Sequence, residues 1–378
     1  MAQVYALRYL ARAAASAPRD LADALLAKLR PIHPTVLIFN CTFDCDAECR
    51  MCGNWKRGGA QPDLTLAEIE RVFVSPLWAR LENLHISGGE PTTRDDLVDV
   101  CRVILDRLPN LRKLGLSTTG LTPRRAIPML TDIVELCRER NVIASVRVAI
   151  DGIGQRHDTI RNVPRGFDRA EETIRAMQEL QRRRRFNLGV STTIFSGNLD
   201  AAEDILAWAR RAKLDIVFNM FRVTDPMLGN GDLADDCRPV GEEEGRMRQF
   251  FLDRVRIDPL LDGQNYIYMH YADMIANGYH RLAPCPFQTQ GVMLNPDGGF
   301  FFCENSESVG SVREEDPGDI YFRESSQAHR RRIRQERCPT CVSPCQINVA
   351  AIKQVLPYLK FLCRASYEKR KWAATSRR

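Results

Sequence analysis

From residue 35 onward, short aliphatic runs alternate with longer runs of helical period, and this alternation restricts the fold more than any other feature. Parallel strands cannot be joined by tight hairpins; each needs a crossover, usually a helix. Strand-like runs fall at 35–40, 83–87, 113–117, 145–150, 187–193 and 216–221, with helical runs at 66–81, 95–107, 123–140, 167–183 and 199–212. The pattern predicts an α/β fold, a partial βα barrel of six units rather than eight. In such barrels the chemistry gathers where the loops leave the C-terminal strand ends. The polar residues suited to it fall there: Cys45 to Cys52, Gly88-Gly89-Glu90-Pro91, Ser117 to Gly120, Asp151-Gly152 and Ser196 to Asn198.

The first of these loops carries Cys45, Cys49 and Cys52 at C-x3-C-x2-C spacing, with Cys41 upstream at the strand end as a buried thiol. Thiolates repel one another and oxidise readily, so three on one loop are most simply ligands of one soft metal centre. A structural zinc site would draw four protein ligands, usually from two separate C-x2-C pairs, whereas three cysteines on one loop leave a coordination position open. An iron-sulfur cluster answers that description best, ahead of zinc and of disulfides.

With Gly88-Gly89-Glu90-Pro91 following the second strand, this triplet resembles the radical S-adenosylmethionine (radical SAM) superfamily, over residues 35–223. The resemblance implies a 4Fe-4S cluster on Cys45, Cys49 and Cys52 whose open iron chelates the amine and carboxylate of S-adenosylmethionine. It further implies a one-electron donor such as flavodoxin or ferredoxin, and hydrogen abstraction from a substrate. Gly88, Gly89 and Pro91 would shape the cofactor site, and Glu90 would face the cofactor's ammonium group, a sensible charge-assisted pair. Asp151, within an Asp-Gly pair, and Arg161, a guanidinium suited to the cofactor carboxylate, lie after the fourth strand. Ala149 stands where the family more often has a serine. Ser117, Thr119 and Asn198 are candidates for ribose or adenine contacts, and Met51 for the adenine's surroundings.

A boundary falls at about 225, where a Gly/Asp/Pro-containing connector leads into helical runs at 241–256 and 266–277. The strand-turn-strand 292–302 reads as a β-hairpin with an Asp-Gly turn. Cys285 and Cys303 flank it, and Cys338, Cys341, Cys345 and Cys363 follow. This set resembles the SPASM or twitch extension that binds auxiliary 4Fe-4S clusters, with the usual two cysteine pairs fused into Cys338-Pro-Thr-Cys341-Val-Ser-Pro-Cys345. Six thiols complete one four-thiolate cluster or supply two incompletely, and a zinc knuckle remains the alternative. The expected domains are an N-terminal helix (1–34), the barrel (35–224), a helical connector (225–280) and a cysteine-rich extension (281–378).

Thirteen cysteines in 378 residues, an odd number and mostly clustered, point to a reducing, cytoplasmic setting rather than a disulfide scaffold. The formal charge of +6, from 54 basic and 48 acidic side chains, gives no reason to invoke nucleic acid. At the N-terminus Leu7, Leu10 and Ala14 share one helical face opposite Arg8 and Arg12. Such a helix packs on the domain or touches a membrane surface. Relatives with the extension mostly modify peptides or proteins, and others act on lipids, sugars or small molecules. A protein that binds a partner through iron-sulfur or zinc sites without turnover is the reading from another class.

Overall fold

The computed structural model describes residues 30–224, 228–260, 262–283, 285–343 and 355–375, with 18–19, 22–23 and 25–27. The amphipathic N-terminal helix expected around Leu7, Leu10 and Ala14 lies outside the described residues. In chain order the main elements are β1 (Val36–Thr42), α1 (Leu66–Val74), β2 (Asn83–Gly88), α2 (Leu97–Arg107), β3 (Lys113–Thr118) and α3 (Pro123–Glu139). There follow β4 (Ile143–Ala149), α4 (Gln155–Arg161), α5 (Gly166–Arg183), β5 (Asn187–Ile194), α6 (Ala202–Arg211) and β6 (Asp215–Met220). The remainder is α7 (Glu242–Ile257), α8 (Gly263–Ala276), β7 (Gly291–Leu294), β8 (Gly299–Phe301), β9 (Gly310–Ser311), α9 (Pro317–Phe322), α10 (Glu324–Glu336) and α11 (Val355–Thr375).

The six expected strands form and pair in parallel, in the order of a partial barrel. α1 opens with a capping box, Thr65 accepting from the Glu68 N–H while Glu68 accepts from that of Thr65. It ends at Val74, short of the run to 81 read from periodicity. Pro76 cannot continue a helix, and Ser75 caps a separate 3-10 turn, Pro76–Arg80.

Two distinct faces arise from the strand period of two. On one, Leu84, Ile86, Leu114, Leu116, Val146, Val148, Leu188 and Val190 are buried, with α3 against β4, α5 against β4 and β5, and α6 against β6. Each such side chain contributes about 1.5–3 kcal/mol by leaving water. The other, inner face carries His85, Ser87, Lys113, Ser117, Arg147, Ser191 and Asn219, all part-exposed.

The C-terminal hairpin does not stand apart. β7 pairs in parallel with the free side of β1, Val36↔Gly291 through Phe39↔Leu294, and β8 and β9 add antiparallel strands, giving a nine-stranded sheet β6-β5-β4-β3-β2-β1-β7-β8-β9. The chain divides differently from the expected boundaries. One unit holds His33–Arg238 with Gln290–Arg331, and the other holds Met1–Ile32, Pro239–Thr289 and Arg332–Arg378. In the latter, α7, α8 and α11 pack together; Tyr266 meets Phe361 edge-on, and Arg256–Glu368 and Asp273–Arg364 tie α11 down. Among the described residues no helix is long and apolar enough to cross a membrane.

Candidate functional site

The cysteine loop leaves β1 and is held from three sides. Its Glu48 and Arg50 amides donate to the Arg161 and Ile160 carbonyls at the end of α4, at 3.2 and 2.9 Å. Those carbonyls would otherwise be orphans of the helix terminus. Asp46 accepts from the hydroxyls of Thr119 (2.9 Å) and Thr122 (3.0 Å) beyond β3. On the third side buried Asn230 donates to the Met51 and Arg222 carbonyls and accepts the Thr224 N–H. Gly53 passes so close to Gly229 that a Cβ would overlap its carbonyl oxygen.

Gly88 and Gly89 serve this loop directly. The Gly89 N–H donates to Thr42 O (2.8 Å) and the Glu90 N–H to Asp44 O (2.7 Å). A Cβ on Gly88, whose φ is +132°, would overlap the Thr42 oxygen, and one on Gly89 the Asp44 oxygen. The backbone that these glycines admit is the cysteine loop itself. Pro91, buried, opens a single 3-10 turn, Pro91–Thr93, that Glu90 caps.

Glu90 is fully buried, and its carboxylate is taken up by the protein. Oε1 accepts from the Thr92 N–H (3.0 Å), the Thr92 hydroxyl (2.6 Å) and the Thr118 hydroxyl (2.7 Å), while Oε2 accepts from the Thr119 N–H (2.6 Å). Burial first, and the Asp46 carboxylate second, push its proton affinity up against the pull of these donors. The side chain therefore laces the end of β2 to the end of β3.

Arg161 sits at the centre of the next group. One guanidinium nitrogen lies 3.4 Å from the Cys49 sulfur, another pairs with Asp151, and Nε, buried, has no protein partner. Asp151 also accepts the Thr193 N–H (2.8 Å). Asn198 donates to the Asp151 and Thr193 carbonyls and accepts the Phe195 N–H. The Asp151 N–H donates to His157 Nδ1, so the ring proton is on Nε2, and burial holds this imidazole's pKa down to about 3. Ser117, by contrast, points to the inner face, 2.9 Å from His85 Nε2.

Sequence reading missed Asp46, His157, Asn230 and Arg222. The last, just past β6, forms a two-pronged ion pair with buried Glu304, just past β8, at 2.7 and 2.9 Å. β6 is one edge of the sheet and β8 neighbours the other, so this pair links the loops that follow strands far apart in the sheet order. Tertiary pairs of this kind leave no local signal.

The three thiols bear on one another electrostatically. Burial raises all of them; Cys49 further raises Cys45, and Arg161, set against the Cys52 thiol, limits Cys49 to about 11. For Cys52 the Asn54 N–H, 3.4 Å from its sulfur, pulls down, as do Arg161 and Arg222. Thiols raised by desolvation with so little cationic support ionise readily only beside a metal. The donor set fits an iron-sulfur cluster, with two N–H···S contacts of the kind that tune one. Among the described residues no three His, Cys, Asp or Glu side chains close on a single-ion position.

In the helical unit Arg281 gathers a second set of cysteines. Its side chain donates to the carbonyls of Ala283 (2.9 Å), Cys341 (2.9 Å) and Ser343 (2.8 Å), and its N–H to Pro339 O (2.7 Å). This brings Cys338 and Cys341 within electrostatic reach of Cys285, whose thiol burial raises to about 11. Cys363 is exposed on α11, Cys303 belongs to the barrel unit, and Cys345 lies outside the described residues. Cys101, Cys137 and Cys237 are buried.

Residues 39–220 match the family model described as the radical SAM superfamily. The AdoMet-dependent heme synthase of Methanosarcina barkeri is 27% identical over 214 residues, 56% of this chain and 56% of that protein. The GTP 3',8-cyclase of Alkaliphilus metalliredigens is 22% identical over 224 residues, 58% of this chain and 61% of that protein. The chain thus covers less than two thirds of either curated relative. Among solved structures, Streptococcus suis SuiB bound to precursor peptide SuiA superposes with a TM-score of 0.56 at 14% identity, covering 89% of this chain and 76% of that one. Native anSMEcpe with bound AdoMet gives 0.53 at 13%, covering 78% and 82%. At such identities the likeness is one of fold.

Proposed function

We propose that this chain, a radical SAM superfamily member across residues 39–220, uses Cys45, Cys49 and Cys52 to hold a 4Fe-4S cluster for radical chemistry on a substrate. The observation that carries the reading is the loop of three neighbouring thiols at the end of β1, Cys49 buried and Cys45 and Cys52 part-buried, with Arg161 bridging Cys49 to Asp151. With S-adenosylmethionine bound, such a cluster supplies one-electron cleavage to methionine and a 5'-deoxyadenosyl radical, the electron coming from a reduced donor protein of flavodoxin or ferredoxin type. This chain's own residues supply the setting. Asp151, Thr193 and Asn198 fix the fourth and fifth strand ends; Arg161 offers a buried cation, with Nε unspent, for a carboxylate; and Glu90 and Asp46 hold the rim around the cysteine loop.

The auxiliary centre in this reading lies on Cys285, Cys338 and Cys341, drawn together by Arg281. As substrate we favour a peptide or protein, on the strength of the SPASM-like cysteines and of a fold shared with peptide-bound SuiB. A small molecule is the second reading, favoured by the heme synthase and GTP cyclase relatives. Anaerobic reconstitution tests the core of the proposal. Wild-type protein with reductant and S-adenosylmethionine should release 5'-deoxyadenosine, and Cys49→Ala should lose about four irons and that product together. Unchanged iron in the variant would sink the ligand assignment.

A further inference from the structure

The inner face of the sheet carries polar groups that neither the cysteine loop nor the rim employs. Cross-strand register sets His85, Gly115 and Ser145 in one row and Ser117, Arg147, Gly189 and Asp215 in the next, with Lys113 on the same face at the start of β3. Two glycines shape it. A Cβ on Gly115 would overlap His85 Nδ1, and one on Gly189 would overlap the Arg147 guanidinium. Their absence lets the imidazole and the guanidinium lie flat across the neighbouring strands. Arg147 thereby spans β5 to reach the Asp215 carboxylate on β6, and His85 rests against Ser117.

The charges in this patch do not cancel. Lys113 lies within electrostatic range of Arg147 and Asp215, and His85 within range of Lys113 and Arg147. Burial, Lys113 and Arg147 together press His85 down to about 4, so it is neutral near pH 7. Two cations therefore face one carboxylate, and Arg147 already holds that carboxylate. Among the described residues the Lys113 ammonium has no hydrogen bond or ion pair. Part-buried and unpaired, it has its proton affinity lowered, by burial first and by the Arg147 cation second. An incoming anion would relieve that cost on a face that also carries, further along the strands, the Ser117 hydroxyl and the Arg147 guanidinium. A packed barrel would bury these side chains; here Lys113, Ser117, Arg147 and Ser191 remain part-exposed.

We propose that the inner face is an anion-recognition site in which Lys113, with Ser117 and Arg147, receives a carboxylate or phosphate group of the substrate. Calling the ligand the substrate rests on the radical SAM reading; the anion site itself does not.

Anaerobic isothermal titration of the reconstituted full chain, with inorganic phosphate in one arm and acetate in the other against a chloride background, tests this. Binding of either is expected, and which one binds tells phosphate from carboxylate. Lys113→Met should weaken it at least tenfold and Lys113→Arg should retain it; should Lys113→Met not fold, Lys113→Gln takes its place. No binding to the wild type, or binding indifferent to Lys113, overturns the site. Release of 5'-deoxyadenosine by the same wild-type preparation is scored separately. Its absence would remove the reaction and leave the anion site standing, whereas binding that ignores Lys113 would do the reverse.

Discussion

Glu90→Gln is the substitution that most sharply separates architecture from ligand binding. The glutamine carbonyl can take the Oε1 position and keep the three bonds from Thr92 and Thr118. Its amide nitrogen then occupies the Oε2 position, where the Thr119 N–H donates. Donor faces donor in a site without solvent. Two unsatisfied buried donors at about 1–3 kcal/mol each put the loss at about 2–6 kcal/mol. For a unit of this size 1 kcal/mol is worth about 2–4 °C, so the unfolding midpoint should fall by about 4–24 °C. Iron should be lost with it, because the Glu90 N–H anchors Asp44 in the cysteine loop. Anaerobic thermal unfolding by circular dichroism, with iron content and S-adenosylmethionine affinity measured on the same sample, checks the expectation. A midpoint within about 2 °C of wild type, with iron intact and affinity reduced, would refute it. The carboxylate would then be free for the cofactor's ammonium group, as the sequence alone leads one to expect.

Gly89→Ala places a methyl group against the Asp44 carbonyl oxygen. It should cost about 1–3 kcal/mol and leave reconstituted protein short of iron; full iron at an unchanged midpoint would show that the loop has room to move. Two barrel histidines titrate below their usual range, His85 at about 4 and His157 at about 3, so the unfolded chain takes up protons there before the folded one does. Stability should be fully present above about pH 6.5 and fall as pH drops towards 4, by up to about 1.4 kcal/mol per pH unit for each ring. Urea unfolding at pH 5 and 7 measures this, and His157→Gln should flatten the dependence; an identical slope in the variant would count against a neutral His157.

Much of the barrel is legible because each strand and helix carries its own period. α4 escaped because it is a seven-residue helix, held between Gly154 and Asn162, both at positive φ, too short for a 3.6-residue period to declare itself. The partner of β7 could not be read from its neighbours in sequence, since pairing with β1 spans most of the chain. That the three cysteines share one loop after β1 was legible from spacing alone. The surroundings of Glu90 were not, because a sequence displays its charge and hides the donors that meet it. The polar inner face was visible all along as His85-x-Ser87, Lys113-x-Gly115-x-Ser117 and Asn187-x-Gly189-x-Ser191, a period of two that the apolar residues between them obscure.

The pairing of β1 with β7 has a consequence for how the chain is made. Val36 and Gly291 are neighbours in the sheet, yet ribosomes add about 5–20 residues per second, so β1 waits roughly 10–50 s for its second partner. Throughout that interval β1 presents bare N–H and C=O groups flanked by Leu37, Ile38 and Phe39, an edge that invites pairing with other chains. The strand that launches the cysteine loop is thus finished among the last, and a cluster loaded before β7 arrives would sit on a half-built wall.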